Sequence, residues 1–600
     1  MEQIVEKLGE VARRALYFSD DSALSHIEVT PAPEGTGADY ASNIAMKLFG
    51  QIKSGQTSVN TNDIPDMDND SIKSPRDLAL LFTKIISEDG GFPFSVEVAG
   101  PGFINFISRD EYWKQKIVSY TRDFDKNISQ DVYSGQQIIC EFSDPNPFKV
   151  LHVGHLYTSI VGESISRLIE FAGGKVIRAN FGGDVGLHVA KTIYALMKKG
   201  FTAQDLTEPK DMGKISLCYV DGTRDYEDND NAKEKITELN RLIYEIADAG
   251  PDKVWPEGGY TSDVAALYWA GRTLSYRYFD EFYQRVGVKF DKYYPESTVA
   301  KRGLKEVQDH IGPVYEESHG AVIFPGEKYG LHTRVFINNE GLPTYETKDV
   351  GLIFTKWDDY HFDKSIIITG NDIIDYMKVV LCSISQFAPD LPARTIHITH
   401  GNVRLPGNEK MASRKGNFIK AVDVLDDVED SLGNLGKTPE MTKISLGAIK
   451  YSFLKYKIGG NIEFDIKESV SMTGNSGVYL QYAGVRAKKV LAAVAKNGNT
   501  VDATASNISM DSWDLNIYEK SLIRKIDQYK NILEEAVSEL APHKIANYLY
   551  DLAQDFSRFY EHSKVVGSNY EIGRSAIVQI YAKILEHGLN ILGIEIPEEM

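Results

Sequence analysis

The order of elements between residues 138 and 184 constrains the fold more than any other stretch of the chain. Ile138-Ile139-Cys140-Glu141-Phe142 is a short apolar run, Ser143-Asp144-Pro145-Asn146-Pro147 is a turn-forming break, and residues 154–172 then place apolar side chains at helical spacing. Gly173-Gly174 ends that helix, and Lys175-Val176-Ile177-Arg178-Ala179 begins a second apolar run that stops before Gly182-Gly183-Asp184. Strand, helix and strand in this order predict a βαβ unit, since parallel strands need a crossover connection. The same signal returns in Ser365-Ile366-Ile367-Ile368-Thr369-Gly370 and Thr395-Ile396-His397-Ile398-Thr399, with a helical segment from Asp375 to Phe387 between them. The expected fold class is α/β: a Rossmann-type parallel-sheet domain over 131–474, its halves separated by a charge-rich insertion at about 201–330.

The flanks read differently. Residues 1–130 combine helical patterns, a polar turn-rich stretch at Asn60–Ser74 and short apolar runs around Gly100-Pro101-Gly102, as expected for a small α+β module. From 475 to 600 the pattern is almost wholly helical; Ile545, Leu549, Leu552, Phe556 and Phe559 fall on one face, which predicts an all-α bundle. The chain has 85 acidic and 66 basic side chains, a net charge of −19, which opposes general attraction to nucleic acid or anionic membrane. A polyanionic partner must therefore dock on a locally basic face. Cys140, Cys218 and Cys382 form no CxxC pair, so neither a disulfide framework nor a structural zinc site is expected, and a reducing cytoplasm is the simplest location. The first sixteen residues read as an amphipathic helix, and no window approaches the ~18 uncharged apolar residues of a membrane span. No membrane partner is expected.

Chemistry concentrates at two places. His152-Val153-Gly154-His155 lies where a strand gives way to a helix, so two imidazoles three residues apart share one side of a helix amino terminus beside its unpaired N–H groups. Gly154 lets a planar base or phosphate approach the backbone. Taken alone, HxGH reads equally well as a structural cap. The second place is Lys410-Met411-Ala412-Ser413-Arg414-Lys415-Gly416, a basic loop beginning 255 residues after His155. Its cations suit a phosphate that gains charge during displacement, although an isolated basic turn is the plainer reading. Together the two segments form a clamp for one triphosphate.

These motifs resemble the HIGH and KMSKS signatures of class I aminoacyl-tRNA synthetases, and their surroundings resemble the arginyl-tRNA synthetase family. The resemblance runs through residues 37–43 and 99–105 at the front, Glu141–Asn146 through His155, Gly341–Asp349, and then residues 475–483 and 593–600. It implies an amino-terminal domain that touches the tRNA elbow, a class I catalytic domain with its KMSKS-like loop at 410–416, and a DALR-type anticodon-binding domain. The implied activity is ATP-dependent attachment of L-arginine to tRNA(Arg), with Mg2+ accompanying ATP and the protein expected to be monomeric.

By the same resemblance, His152 and His155 serve the α-phosphate and Lys410 the pyrophosphate. Gly154 and Met411 belong to the ATP site, Gly401 and Val403 lie near adenine, and Gly370 and Asp372 near the ribose. Tyr345 and Asp349, four residues apart, meet the guanidinium, while Glu141 and Asn146 hold the amino-acid end. On residue type alone, Asp349 also reads as a solvated helix charge and Glu141 as a strand-end ion pair.

Three departures stand out. Ser413 occupies the place of the second KMSKS lysine, with Lys149 the preferred replacement and Lys415 the other. Ile373 stands where many members have a glutamine, and Val185 replaces the tryptophan of a GDWG stretch. In the carboxy-terminal region, Arg486-Ala487-Lys488-Lys489 and Arg524-Lys525 are basic spots, and Tyr479, Tyr482 and Tyr548 suit either base stacking or core packing. A synthetase for another amino acid, a simpler nucleotidylyltransferase and a non-catalytic tRNA-binding relative remain as alternatives.

Overall fold

The computed structural model describes residues 2–18, 27–33, 36–60, 69–404, 406, 419–433, 438–498 and 513–600. Residues 1–127, 490–528 and 555–581 form one compact unit, and residues 128–489, 529–554 and 582–600 the other.

In the first unit, an antiparallel sheet runs in the order Val29–Pro31, Tyr40–Ser42, Phe103–Ser108, Phe94–Ala99. The sequence around 37–43 serves packing here. Asp39 accepts the Ser108 N–H at 2.7 Å and pairs with Arg524 at 2.5 Å, and the Tyr40 hydroxyl donates to Asp527 at 3.2 Å. Gly102, at φ +141°, lies where a Cβ would come within 2.9 Å of the Pro75 backbone, so no larger residue fits this turn.

The second unit holds the parallel sheet. Its elements are β1 (Gln137–Glu141), α1 (Val153–Phe171), β2 (Lys175–Gly182), α2 (Leu187–Lys198), α3 (Met212–Asp228), α4 (Asp230–Ala249), α5 (Tyr260–Val286), β3 (Lys292–Pro295), α6 (Glu296–Asp309), α7 (Tyr345–Tyr360), β4 (Lys364–Gly370), α8 (Ile374–Ser385), β5 (Thr395–His400) and α9 (Pro439–Leu454). The strands lie in the order β5–β4–β1–β2–β3, all parallel. Ile138, Ile139 and Cys140 of β1 are fully buried, as a central strand covered on both faces requires. The chain winds from β1 through β2 to β3 and then returns on the other side of β1 as β4 and β5. The carboxyl ends of β1 and β4 therefore flank a switch point, the place where open α/β sheets bind ligands.

The segment at about 201–330, expected mainly as an insertion, also supplies one strand of the sheet. Helices α3, α4 and α5 form a separate apolar core with α2, but Lys292–Pro295 is the edge strand of the main sheet. Its sequence, Lys-Tyr-Tyr-Pro, carries no aliphatic run, which is why periodicity did not reveal it.

The carboxy-terminal residues are helical, and Ile545, Leu549, Leu552, Phe556 and Phe559 are all fully buried. Tyr548 is buried and stacks on Tyr529 at 5.2 Å, so it is a core side chain and no base-stacking platform. Tyr482 is 37% exposed. Of the basic spots, Arg524 is neutralised by Asp39 and Lys488 pairs with Glu586 at 3.2 Å.

One contact governs how α1 seats on β1. A Cβ at Gly162 would lie 2.1 Å from the buried ring of Phe142, which directly follows β1. Gly162→Ala is expected to destabilise the chain by ~1–3 kcal/mol, read as a lower urea midpoint.

Candidate active site

A cavity of about 780 Å³ opens at the carboxyl ends of β1 and β4. Glu141, Asn146, His152, Gly154, His155, Tyr345, Asp349, Gly370, Asp372 and Val403 all line it. So do Asp144, Glu296, Tyr376 and His400, four groups that the sequence pattern did not single out.

The loop from β1 to α1 forms one wall and is strained. Ser143, Asp144 and Phe148 hold φ of 74°, 46° and 67°, a region that costs a non-glycine residue ~1–2 kcal/mol. Helix α5 supplies the compensating contacts. The Phe148 N–H donates to Ser275 Oγ at 2.9 Å, and its buried ring stacks on Tyr268 and fills the space left by Gly271. Ser143 Oγ meets the Tyr283 hydroxyl at 2.8 Å, and Asp144 accepts the Phe181 N–H at 2.8 Å. The helical insertion thus sets the loop's shape. Val185, in place of the family's tryptophan, is fully buried in the apolar core that α5 shares with α2.

The two histidines interlock. Gly154 N–H donates to His152 Nδ1, and His152 N–H donates to His155 Nδ1, each at 3.1 Å, with the rings 3.9 Å apart. A ring nitrogen that accepts carries no proton, so both protons sit on Nε2. Burial, reinforced by Lys149, lowers His152 to about 4; burial, His152 and Lys149 lower His155 well below its ordinary value. At neutral pH the pair acts through neutral N–H donors and adds no positive charge. A Cβ at Gly154 would lie 2.8 Å from the His152 ring, so this glycine, which lines the cavity, also makes room for that side chain.

Another part of the lining is acidic. Tyr345 and Asp349 occupy the first turns of α7, and the Tyr376 hydroxyl donates to Asp349. Burial raises Asp349 to about 8, with the charges of Glu141 and Glu296 adding to the effect. Asp144 is also raised, by burial and then by Glu141. Glu141 is ion-paired with Lys356 at 2.7 Å and Glu296 with Lys348 at 2.5 Å. Asn146 Oδ1 accepts the Gly183 N–H at 3.2 Å; a side chain on Gly183 would collide with both Asn146 and Glu296.

Comparison with known proteins fits this geometry. A family model described as "tRNA synthetases class I (R), catalytic domain" matches residues 124–464. The chain belongs to the arginyl-tRNA synthetase family. Two further models match, "Arginyl tRNA synthetase N terminal domain" over 2–107 and "DALR anticodon binding domain" over 480–600. The arginine–tRNA ligase of Borrelia hermsii is 30% identical, spanning 85% of this chain and 88% of its own length. That of Porphyromonas gingivalis is 27% identical over 100% and 99%. In fold, the chain resembles the arginyl-tRNA synthetase of Thermus thermophilus, with a TM-score of 0.72 at 21% identity over 100% of both chains. The Plasmodium falciparum enzyme gives 0.71 at 18% identity over 100% and 99%.

Other residues singled out by the arginyl-tRNA synthetase resemblance fall elsewhere. Lys149 is not part of the cavity lining; its ammonium sits 4.2 Å over the Tyr219 ring, and its charge still reaches both histidines. Gly401 is outside the lining as well, and the space its Cβ would need is filled by the Gly460 backbone at 2.3 Å. Ile373 lines the cavity. Lys410, Met411, Ser413 and Lys415 lie outside the described residues. The segments on either side of their loop do reach the site: Val403 and Arg404 form part of the wall, and Ile419–Ala421 bonds to the backbone of Leu151–Val153 at 3.0 and 3.1 Å. Among the described residues, no cluster of three or more His, Cys, Asp or Glu side chains is placed to hold a metal, and no helix is long and apolar enough to cross a membrane.

Asp349 gives this site a pH signature. Its unfolded carboxyl ionises near 3.8 and its folded one near 8, so between those values the folded chain keeps a proton that the unfolded chain has lost. Stability therefore falls as pH rises through that window, by at most ~1.4 kcal/mol per unit, and levels off above it. Urea midpoints taken from pH 5 to 8 should decline less steeply for Asp349→Asn than for wild type.

Proposed function

We propose that this chain is an arginine–tRNA ligase that activates L-arginine with ATP and transfers it to tRNA(Arg). The observation that carries the reading is a cavity, in a member of this family, that is lined both by two neutral imidazole donors and by the carboxyl groups of Glu141, Glu296 and Asp349. A guanidinium is planar, permanently charged and rich in donors, so it suits an acidic wall; lysine's point charge matches a fork-shaped acceptor set poorly. Asp349 and Tyr345, joined by Glu296, meet the guanidinium. Glu141 and Asn146 hold the α-amino end. Ile373 offers no side-chain hydrogen bond, so that end relies on these two.

ATP takes the remaining part of the cavity, with Mg2+ entering as its companion. Gly370 and Asp372 border the ribose, and Val403, with Gly401 behind it, borders adenine. A carboxylate oxygen of arginine attacks the α-phosphorus in line and pyrophosphate leaves. His152 and His155 donate through Nε2–H to phosphate oxygens as charge develops there, the type of preorganised contact that contributes most to such steps. Lys149, Lys410 and Lys415 supply positive charge for the pyrophosphate side, and Met411 lies in the same loop. A terminal ribose hydroxyl of the tRNA then takes the arginyl group and AMP is released. The division into an elbow-binding domain at 1–130, a catalytic domain at 131–474 and an anticodon-binding domain at 475–600 assigns the tRNA contacts, with the protein acting as a cytoplasmic monomer.

A charging assay with total tRNA and each of the twenty amino acids should yield product with arginine alone. His155→Ala should lower charging by at least ~10²-fold, and Asp349→Ala should raise the KM for arginine far more than that for ATP. Equal background from wild type and His155→Ala would point instead to a tRNA-binding protein without catalysis. ATP–pyrophosphate exchange with and without tRNA establishes whether activation requires bound tRNA.

A further inference from the structure

Two lysines of α7 stand outside the lining of the acidic wall. Lys348 and Lys356 are 3% and 0% exposed by side chain, and neither lines the cavity, whereas both of their glutamate partners do. Lys356 Nζ lies 2.7 Å from Glu141 Oε2 and 3.0 Å from Ser365 Oγ. Lys348 Nζ lies 2.5 Å from Glu296 Oε2 and 5.0 and 5.6 Å from the ring centroids of Tyr345 and Tyr244. Each pair therefore uses one carboxylate oxygen on an ammonium group that a ligand in the cavity does not meet.

The wall needs such groups. Carboxylates crowded into one cavity favour uptake of protons, which would replace an acceptor by a donor where a cation must bind. Cations exposed in the lining would relieve the crowding but repel the same ligand. Ammonium groups placed out of the ligand's reach avoid both outcomes. When all are ionised, the carboxylates of Glu141, Asp144, Glu296 and Asp349 against the two lysines leave two negative charges. Arginine brings two positive ones, its guanidinium and its α-ammonium.

We propose that Lys348 and Lys356 are positioning residues of the arginine subsite, each holding one oxygen of its glutamate so that the other is kept in one orientation toward the incoming cation. This rests on the reading of the cavity as an arginine site. Lys356→Met and Lys348→Met keep the chain length and remove the charge. Titration calorimetry with L-arginine on the full chain should show affinity lowered at least about tenfold in each variant, while the KM for ATP in charging stays within about twofold of wild type. Because Lys356 acts through Glu141, adding Lys356→Met to Glu141→Gln should change arginine affinity by less than about twofold.

Arginine affinity near wild type in both lysine variants would overturn the inference, as would equal weakening of arginine and ATP, the pattern of a pair that only stabilises the fold. If thermal unfolding shows that Lys356→Met does not fold, Lys348→Met alone and in combination with Glu296→Gln decides the same question. A wild-type chain that binds no arginine would instead overturn the arginine-site reading, and this inference with it.

Discussion

Repulsion among carboxylates held in one cavity is the constraint around which the catalytic unit is arranged. Glu141, Asp144, Glu296, Asp349 and Asp372 all line the same space, and burial, with like charges beside it, raises the proton affinity of Asp144 and Asp349. The lysines of α7, the Tyr376 hydroxyl and the Phe181 N–H each satisfy one member of the group. Gly183 keeps the space beside Asn146 and Glu296 open. An acidic site of this kind is stable only while its surroundings stay in place, and for that reason helix α7 carries ligand-facing residues and the buried counter-charges together.

The phosphate end follows a different principle. Its two histidines lock each other's Nδ1 through backbone amides and so present Nε2–H donors without net charge. Neutral donors beside the amino terminus of α1 leave this part of the lining without a charge of its own, and under the proposed function they face the phosphate oxygens. Lys149 rests on the Tyr219 ring, and Ile419 and Ala421 bond to the backbone on either side of His152.

The helical insertion also has a structural role in the site. Non-glycine residues in the left-handed region persist only when their surroundings over-determine them, and Ser275, Tyr268, Gly271 and Tyr283 of α5 do this for the loop at 143–148. Sequence adjacency hides this dependence, since α5 lies more than a hundred residues downstream of the loop it holds.

Much of the catalytic frame was legible in the sequence. The runs at 138–142, 175–179 and 365–370 announced strands because parallel strands buried on both faces are rich in apolar residues, and the alternation of Ile396 and Ile398 announced a fourth at the sheet edge. HVGH marked a helix start through its capping chemistry. The fifth strand at 292–295 escaped because an edge strand need not be aliphatic on both faces. Glu296, Asp144 and Tyr376 escaped because nothing in a local pattern separates a buried carboxylate or hydroxyl from an exposed one. Tyr548 and Arg524, which looked available to RNA, are claimed by Tyr529 and Asp39. Periodicity and turn chemistry are local properties, so the sequence determined the elements, their order and the family. Which charges share the cavity, and which lysines stand outside its lining, depends on segments as far apart as Glu141 and Lys356, 215 residues distant in the chain, and only the tertiary structure could decide it.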